Sequence, residues 1–334
     1  MNEQTEKAPQ LEIRDLTVMI RNGKKEFRVV KNVDLQIPEG SIVGLVGESG
    51  CGKSMTAKAV NGLLPAAAKI TGGEVLWHDG QKTVCLSKLH ERELRKYCGG
   101  QIGMVFQEPM TALNPLMRVG DQISEVLLLH RLCKSRAEAR ERSTALLEKV
   151  GIAEAARRYD SWPHELSGGM RQRVVIAMAM AAEPRLLIAD EPTTALDVTI
   201  EAQILKLIRQ LCRERNASAL IITHNMGVVA QLCDYVYVMY MGTIMERAPT
   251  AEIFRNPLHP YTRGLLSSIP RIGKNPEFLQ TIPGNLPETG TKFQGCEFCL
   301  RCSNDIKKCF FERPQPYRAQ EGHFVRCHVK ISAM

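Results

Sequence analysis

The stretch SIVGLVGESGCGKSMTAKAV, Ser41–Val60, changes character twice within twenty residues. "SIVGLVG" is a short apolar run ending in glycines and reads as a buried strand. "GESGCGKS" (Gly47–Ser54) fits the pattern G-x-x-x-x-G-K-[ST]. "KSMTAKAVNGLL" then has helical spacing. Strand, glycine-rich turn and helix, in that order, form the context in which this motif carries meaning. The glycines let consecutive backbone N–H groups converge on phosphate oxygens, so Gly47, Glu48, Ser49, Gly50, Cys51 and Gly52 form a cradle. Lys53 supplies a positive charge for β- and γ-phosphates, and the Ser54 hydroxyl can ligate Mg²⁺. The helix N-terminus adds its partial positive charge. Glycine-rich turns are common, but the flanking elements favour nucleotide binding over a purely structural turn.

Working outward, "LEIRDLTVMI" and "FRVVKNVDLQI" alternate apolar and polar residues as half-buried strands do. "PRLLIADEP" and "SALIITH" are further apolar strands. "VTIEAQILKLIRQLCRERN" between them reads as an amphipathic helix, and the charged stretch from about Asp121 to Val150 is helical in pattern. Strands alternating with helices predict an α/β fold whose largely parallel sheet is covered on both faces. After Ile269 proline and glycine become frequent. This places a domain boundary there, with 1–269 as the nucleotide-binding domain and 270–334 as a small, loop-rich C-terminal domain.

The chain has 334 residues, 44% hydrophobic and 24% charged, with a formal net charge of +8. This is a globular mix with a mildly basic surface, compatible with an anionic partner. The longest apolar run of note, "VVIAMAMAA", falls well short of the roughly 18 residues that span a bilayer. The polar start "MNEQTEKAPQ" lacks an apolar h-region, which predicts a cytosolic chain with reduced thiols.

Two more motifs bear on chemistry. "LLIADE" ends an apolar strand in two carboxylates: Asp190 would hold Mg²⁺, and Glu191 would polarise the attacking water as general base. "LSGGMRQR" (Leu166–Arg173) is a Ser-Gly-Gly turn leading into a helix, a second anion-binding N-terminus. One active site rarely needs two phosphate cradles. A helix could also begin at such a turn for purely structural reasons, but the natural solution is that the second cradle addresses nucleotide on another copy.

With these motifs in place the chain resembles the ATP-binding subunits of ABC transporters. "GESGCGKS" looks like Walker A, "LSGGM" like the signature and "LLIADE" like Walker B. "ALD" looks like the D-loop, Gln107 in "VFQEP" like the Q-loop and His224 in "IITH" like the switch histidine. The resemblance implies an ABC-type P-loop ATPase with a RecA-like core, a helical subdomain and an antiparallel β subdomain. It also implies a head-to-tail dimer with ATP between Walker A of one subunit and the signature of the other. Ser167, Gly168 and Gly169 would then meet the partner's nucleotide, with Ser167 and Gly169 touching its γ-phosphate. Gln107 would sense Mg²⁺ and nucleotide beside the membrane subunits, and His224 would contact the γ-phosphate. Asp197 would act across the dimer, and Phe27 would stack on adenine.

"VFQEPMTALNPLMRVGDQISE", "LHPYTRGLLSSIP" and the cysteine-bearing tail narrow the resemblance to the oligopeptide/dipeptide/nickel importers. "GCGKSMTAKAVNGLLP" is closer to the first of their paired ATPases. The implied partners are two transmembrane permease subunits, a second homologous ATPase and an extracytoplasmic substrate-binding protein, with no nucleic acid. The implied place is the cytoplasmic face of the bacterial inner membrane. A non-transport ABC ATPase acting on nucleic acid, with a zinc module, is the alternative.

Five of the eleven cysteines lie in the tail, in "GCEFCLRCSNDIKKC" and at Cys327. The spacing suggests a metal, either Zn²⁺ or an iron–sulfur cluster, or else unligated thiols. His323 and His328 flank Cys327 and could serve zinc. In the resembling importers, cysteines matching Cys296, Cys302, Cys309 and Cys327 can hold a [4Fe–4S] cluster. Cys299 departs from that pattern.

Overall fold

The computed structural model describes residues 8–80, 82–269, 282–288 and 290–329. The expected boundary after Ile269 falls where this description breaks off, and residues 270–281 lie outside it. Among the described residues the strands are, in chain order, β1 (Pro9–Asn22), β2 (Lys25–Pro38), β3 (Ile42–Val46), β4 (Ala68–His78), β5 (Thr83–Cys85), β6 (Ile102–Val105), β7 (Leu186–Asp190), β8 (Ser218–Thr223), β9 (Tyr235–Tyr240), β10 (Thr243–Pro249), β11 (Tyr317–Gln320) and β12 (His323–Val325). No helix of the described residues is long and apolar enough to cross a membrane.

The chain forms two compact units. Of the described residues, one unit comprises residues 8, 38–41 and 89–221. Its strands lie in the order β8-β7-β6, with β6 parallel to β7 from Ile102↔Leu186 to Val105↔Ala189. Every residue of β7 is buried, which accounts for its continuous apolar run: a parallel strand covered on both faces has no polar side. The helix Val198–Glu214 buries Ile204, Leu205, Ile208 and Leu211 and leaves Gln203, Lys206 and Gln210 exposed, the amphipathic stripe expected of it.

The charged stretch after Asp121 resolves into two helices, Val119–Leu129 and Arg136–Lys149. Ser135 caps the second by accepting from the Glu138 N–H, while the Glu138 carboxylate accepts from the Lys134 N–H. The two helices share a buried polar core: the Ser124 hydroxyl lies 2.9 Å from that of Ser143 and 2.8 Å from that of Tyr159. Gly120 makes this possible, since a Cβ there would sit 2.1 Å from the Tyr159 ring.

The other unit comprises residues 9–37, 42–88 and the chain from residue 222 onward. It holds an antiparallel sheet, β2-β1-β4-β5, with Leu11 opposite Trp77 and Val18 opposite Ile70. A register shift between Arg14 and Thr17 coincides with the left-handed Asp15, φ 50°. Its second set of strands runs β11-β12-β10-β9-β3, with β3 parallel to β9 and the rest antiparallel.

The tail is thus more than loop. Its β12 pairs with β10, placing Val325 opposite Glu246. His323 is fully buried and its Nε2 lies 2.7 Å from the Glu246 carboxylate, so it pins the tail instead of serving a metal. The same carboxylate accepts from the N–H groups of Leu258 and His259 at 2.7 and 2.9 Å. Burial pushes the Glu246 carboxyl up, but these hydrogen bonds win and hold it below the usual range. Burial pushes His259 down to about 4. Its neutral ring accepts the Tyr261 N–H at Nδ1, 3.0 Å away.

Candidate functional site

The glycine-rich turn belongs to the second unit. Gly52 has φ 109°, and a Cβ there would lie 2.6 Å from the Val29 carbonyl oxygen, so no other residue fits. The turn hands directly into the helix Lys53–Val60. The Lys53 side chain folds back over the loop, donating to the carbonyls of Gly47 and Glu48 at 2.8 and 3.0 Å, and is buried. Its charge is therefore already directed into the cradle, with carbonyl contacts available for exchange against phosphate oxygens. Ser54 is half-buried in the first helical turn. Burial pushes the Cys51 thiol up, against the charge of Lys53, which makes it an inert part of the turn. Phe27 on β2 is half-buried with its ring against Gly290. His224 follows β8 and is exposed, and Asn225 beside it caps the next helix by accepting from the Gly227 N–H at 2.8 Å.

In the first unit, β7 delivers Asp190 and Glu191, both buried, at its C-terminal end. Glu191 sits in the left-handed region at φ 46°, a strained placement of the kind kept at functional positions. Its Oε2 accepts from Gln107 Nε2 at 3.0 Å and from the Thr194 hydroxyl at 2.9 Å. Two expected site residues, Gln107 and Glu191, are thereby joined across 84 positions of sequence.

The Ser167 side chain caps the helix Gly168–Ala181 by accepting from the Met170 N–H at 3.3 Å. Ser167 and Gly168 are exposed and Gly169 is half-buried, so the turn is open at the surface. Asp197, also exposed, caps the helix Val198–Glu214 through the Ile200 N–H at 2.9 Å.

Residues 30–194 match the family described as ABC transporter, and residues 245–309 match the oligopeptide/dipeptide transporter C-terminal region. A Brucella ovis protein named for peptide import and ATP binding is 47% identical, covering 96% of each chain. An oligopeptide transport ATP-binding protein of Bacillus subtilis is 44% identical, again covering 96% of each. The chain belongs to the ABC transporter ATPases of the oligopeptide/dipeptide class. It has their α/β ABC ATPase fold and is an ATPase subunit. A dimeric ATP-binding cassette solved in a post-hydrolysis state with ADP and Pi superposes with a TM-score of 0.64. It is 30% identical and covers 72% of this chain and 98% of its own.

The tail cysteines are all free, with Cys296, Cys299 and Cys309 buried and Cys302 and Cys327 half-buried. Main-chain bonds run from Cys296 N–H to the Cys309 carbonyl at 2.8 Å and from Cys302 N–H to the Cys299 carbonyl at 3.3 Å. Burial pushes Cys296 up to about 12 and Cys302 up to about 11, and in both cases the neighbouring Cys309 and Cys327 add to the shift. Among the described residues, however, no group of three or more His, Cys, Asp or Glu side chains is placed to hold a metal ion. Neither an iron–sulfur cluster nor zinc gains support from this geometry. His328, the other expected zinc candidate, lies with Nε2 2.8 Å from the Glu312 carbonyl.

Three residues around these motifs escape the sequence reading. Thr194 sits in the unremarkable "EPTTALD", Tyr261 in the "LHPYT" stretch, and Arg301 among the thiols of "CLRC". Tyr261 accepts the Glu48 N–H at 2.8 Å, and Arg301 grips the Glu48 carboxylate. Only Arg301 carried a local signal: a cation set between two closely spaced cysteines, Cys299 and Cys302.

Proposed function

We propose that this subunit is the ATP-driven motor of a peptide importer and that Gln107 couples its chemistry to the permeases. In this reading the Gly47–Gly52 turn and Lys53 take the phosphates, Ser54 and Asp190 hold Mg²⁺ with Gln107, and Glu191 takes the proton of the attacking water. Ser54 and Asp190 are hard oxygen donors, as Mg²⁺ requires, and the ion when bound neutralises phosphate charge. His224 contacts the γ-phosphate, and Asp197 acts across the ATPase heterodimer. Ser167, Gly168 and Gly169 complete the partner's site, and Phe27 stacks on adenine. The subunit works on the cytoplasmic face of the membrane with two permeases, a second ATPase and an extracytoplasmic binding protein. The names of its relatives favour import of peptides over the nucleic-acid alternative.

The observation that carries the reading is the Gln107–Glu191 hydrogen bond. Gln107 is exposed and flanked by exposed apolar side chains: Phe106, Met110 and, 82% exposed, Leu116. A permease docked on that surface would bear directly on a residue that holds the catalytic carboxylate. Expressed with its permeases, the subunit should co-purify with them and show permease-stimulated ATPase activity. Gln107→Ala should still co-purify but lose the stimulation. Failure to bind permeases, or full stimulation of Gln107→Ala, refutes the coupling.

The family resemblance alone would put a [4Fe–4S] cluster on Cys296, Cys302, Cys309 and Cys327, which are soft donors of the type such a cluster takes, while among the described residues no such group is placed to hold a metal ion. The cluster when bound would staple a tail poor in apolar core, and no step of hydrolysis runs through it. Protein purified anaerobically should carry about four irons per chain. One zinc and no iron would replace the cluster with a zinc staple.

A further inference from the structure

Arg301 makes contacts that neither the ATPase motifs nor a metal site call for. It lies in the short turn Cys299–Arg301, and its side chain is only 5% exposed. All five of its N–H donors are engaged. Nη1 and Nη2 grip the two carboxylate oxygens of Glu48 at 2.6 and 2.9 Å. Nε and Nη2 donate to the carbonyls of Pro283 and Gly284 at 2.8 and 3.1 Å, and Nη1 reaches the Tyr240 hydroxyl at 3.5 Å. Burial works against the Arg301 charge, but the bonds to Glu48 and Tyr240 hold it more basic than usual. Beside it Phe298 packs edge-on against Tyr240, ring centres 5.2 Å apart, and at 5.3 Å from Tyr261, whose hydroxyl accepts the Glu48 N–H. The cysteine segment thus holds the side chain of the second residue of the glycine-rich turn directly, through Arg301, and backs the Tyr261 ring whose hydroxyl accepts that residue's N–H.

Glu48 presents an electrostatic problem. Its carboxylate belongs to a loop that must receive three or four negative phosphate charges. Left uncompensated, it would repel them across a partly desolvated loop where Coulomb terms are large. A bidentate guanidinium both neutralises the carboxylate and fixes its direction, which a lysine's single point charge does less well.

We propose that Arg301 is a positioning residue of the ATP site: by neutralising and orienting Glu48, it makes the C-terminal cysteine segment a determinant of nucleotide affinity. The inference rests on the assignment of Gly47–Ser54 as the ATP cradle. A structural staple would use the same contacts, but the two roles differ in how they respond to charge.

The test is equilibrium binding of MgADP and of a non-hydrolysable MgATP analogue to the full chain. Arg301→Ala should weaken the triphosphate by about tenfold, the scale of one lost charge-assisted pair, and the diphosphate by less. Adding Glu48→Gln to that variant should restore affinity to near wild type, because the repelling charge is gone. Arg301→Lys should fall between wild type and Arg301→Ala; should Arg301→Ala fail to fold, Arg301→Lys with and without Glu48→Gln is judged by the same criteria. Arg313→Ala removes a different tail ion pair, to Glu297, and should leave nucleotide affinity unchanged. Unchanged affinity of the Arg301 variants, equal losses for both nucleotides, or no recovery with Glu48→Gln would each overturn the proposal and leave Arg301 a staple. Lys53→Ala separates the two levels: if it binds nucleotide normally, the cradle assignment fails, whereas a loss there with none at Arg301 rejects only this inference.

Discussion

Glu191→Gln should bind MgATP with near wild-type affinity and hydrolyse it 10²–10⁴ times more slowly, the usual contribution of a positioned general base. The amide matches the carboxylate in shape. Its oxygen can still accept from Gln107 and Thr194, the two donors that meet Oε2 in the wild type, so the local structure should survive. What the amide cannot do is take a proton from water. In the assembled importer the variant should therefore accumulate with ATP bound and its ATPase dimer closed. Phosphate release under single-turnover conditions, read beside the dissociation constant for MgATP, separates the two effects. Unimpaired release would remove Glu191 from the role of base. Weakened binding with it would point to distortion of the strained turn at φ 46°.

The legible parts of this protein are those whose physics is local. The strands β3, β7 and β8 are buried throughout, and such strands write themselves as apolar runs. The glycine-rich turn is equally local, because phosphate binding needs consecutive main-chain N–H groups and the glycines that free them. Elsewhere the signal is weak or distant. The β9–β10 hairpin turns at Met241 and Gly242, both left-handed at φ 47° and 82°. That is the backbone of a tight primed turn, but with methionine in place of the usual asparagine or aspartate it carries no turn signature. The tail strands β11 and β12 have four and three residues; β12 gains its place by pairing with β10, far back in the chain, and β11 by pairing with β12. The Arg301–Glu48 pair spans 253 positions, and no periodicity reports it. The histidine near Cys327 suggested a ligand, and only the fold shows that it answers a buried Glu246.

Lys53→Ala should lose ATP binding by on the order of 10²-fold, because it removes the one side-chain cation that the glycine-rich turn itself carries toward the phosphates. A charge-assisted hydrogen bond to a desolvated phosphate is worth about 1.5–3 kcal/mol, or roughly one to two decades in the dissociation constant. The buried position of Lys53 places it at the upper end, since little water screens it. Its two resting contacts, to the carbonyls of Gly47 and Glu48, also brace the turn, so alanine loosens the cradle as it removes the charge. Loosening alone would be expected to lower thermal stability and to weaken all ligands of the turn alike. Loss of charge should weaken the triphosphate more than the diphosphate. Titration calorimetry with MgATP and MgADP, alongside melting curves, tells these apart. Lys53→Arg gives a further check: it keeps the charge, but its planar fork is wider than an ammonium, so it should bind better than alanine and worse than lysine. Wild-type affinity in Lys53→Ala would mean that nucleotide binds elsewhere on this chain.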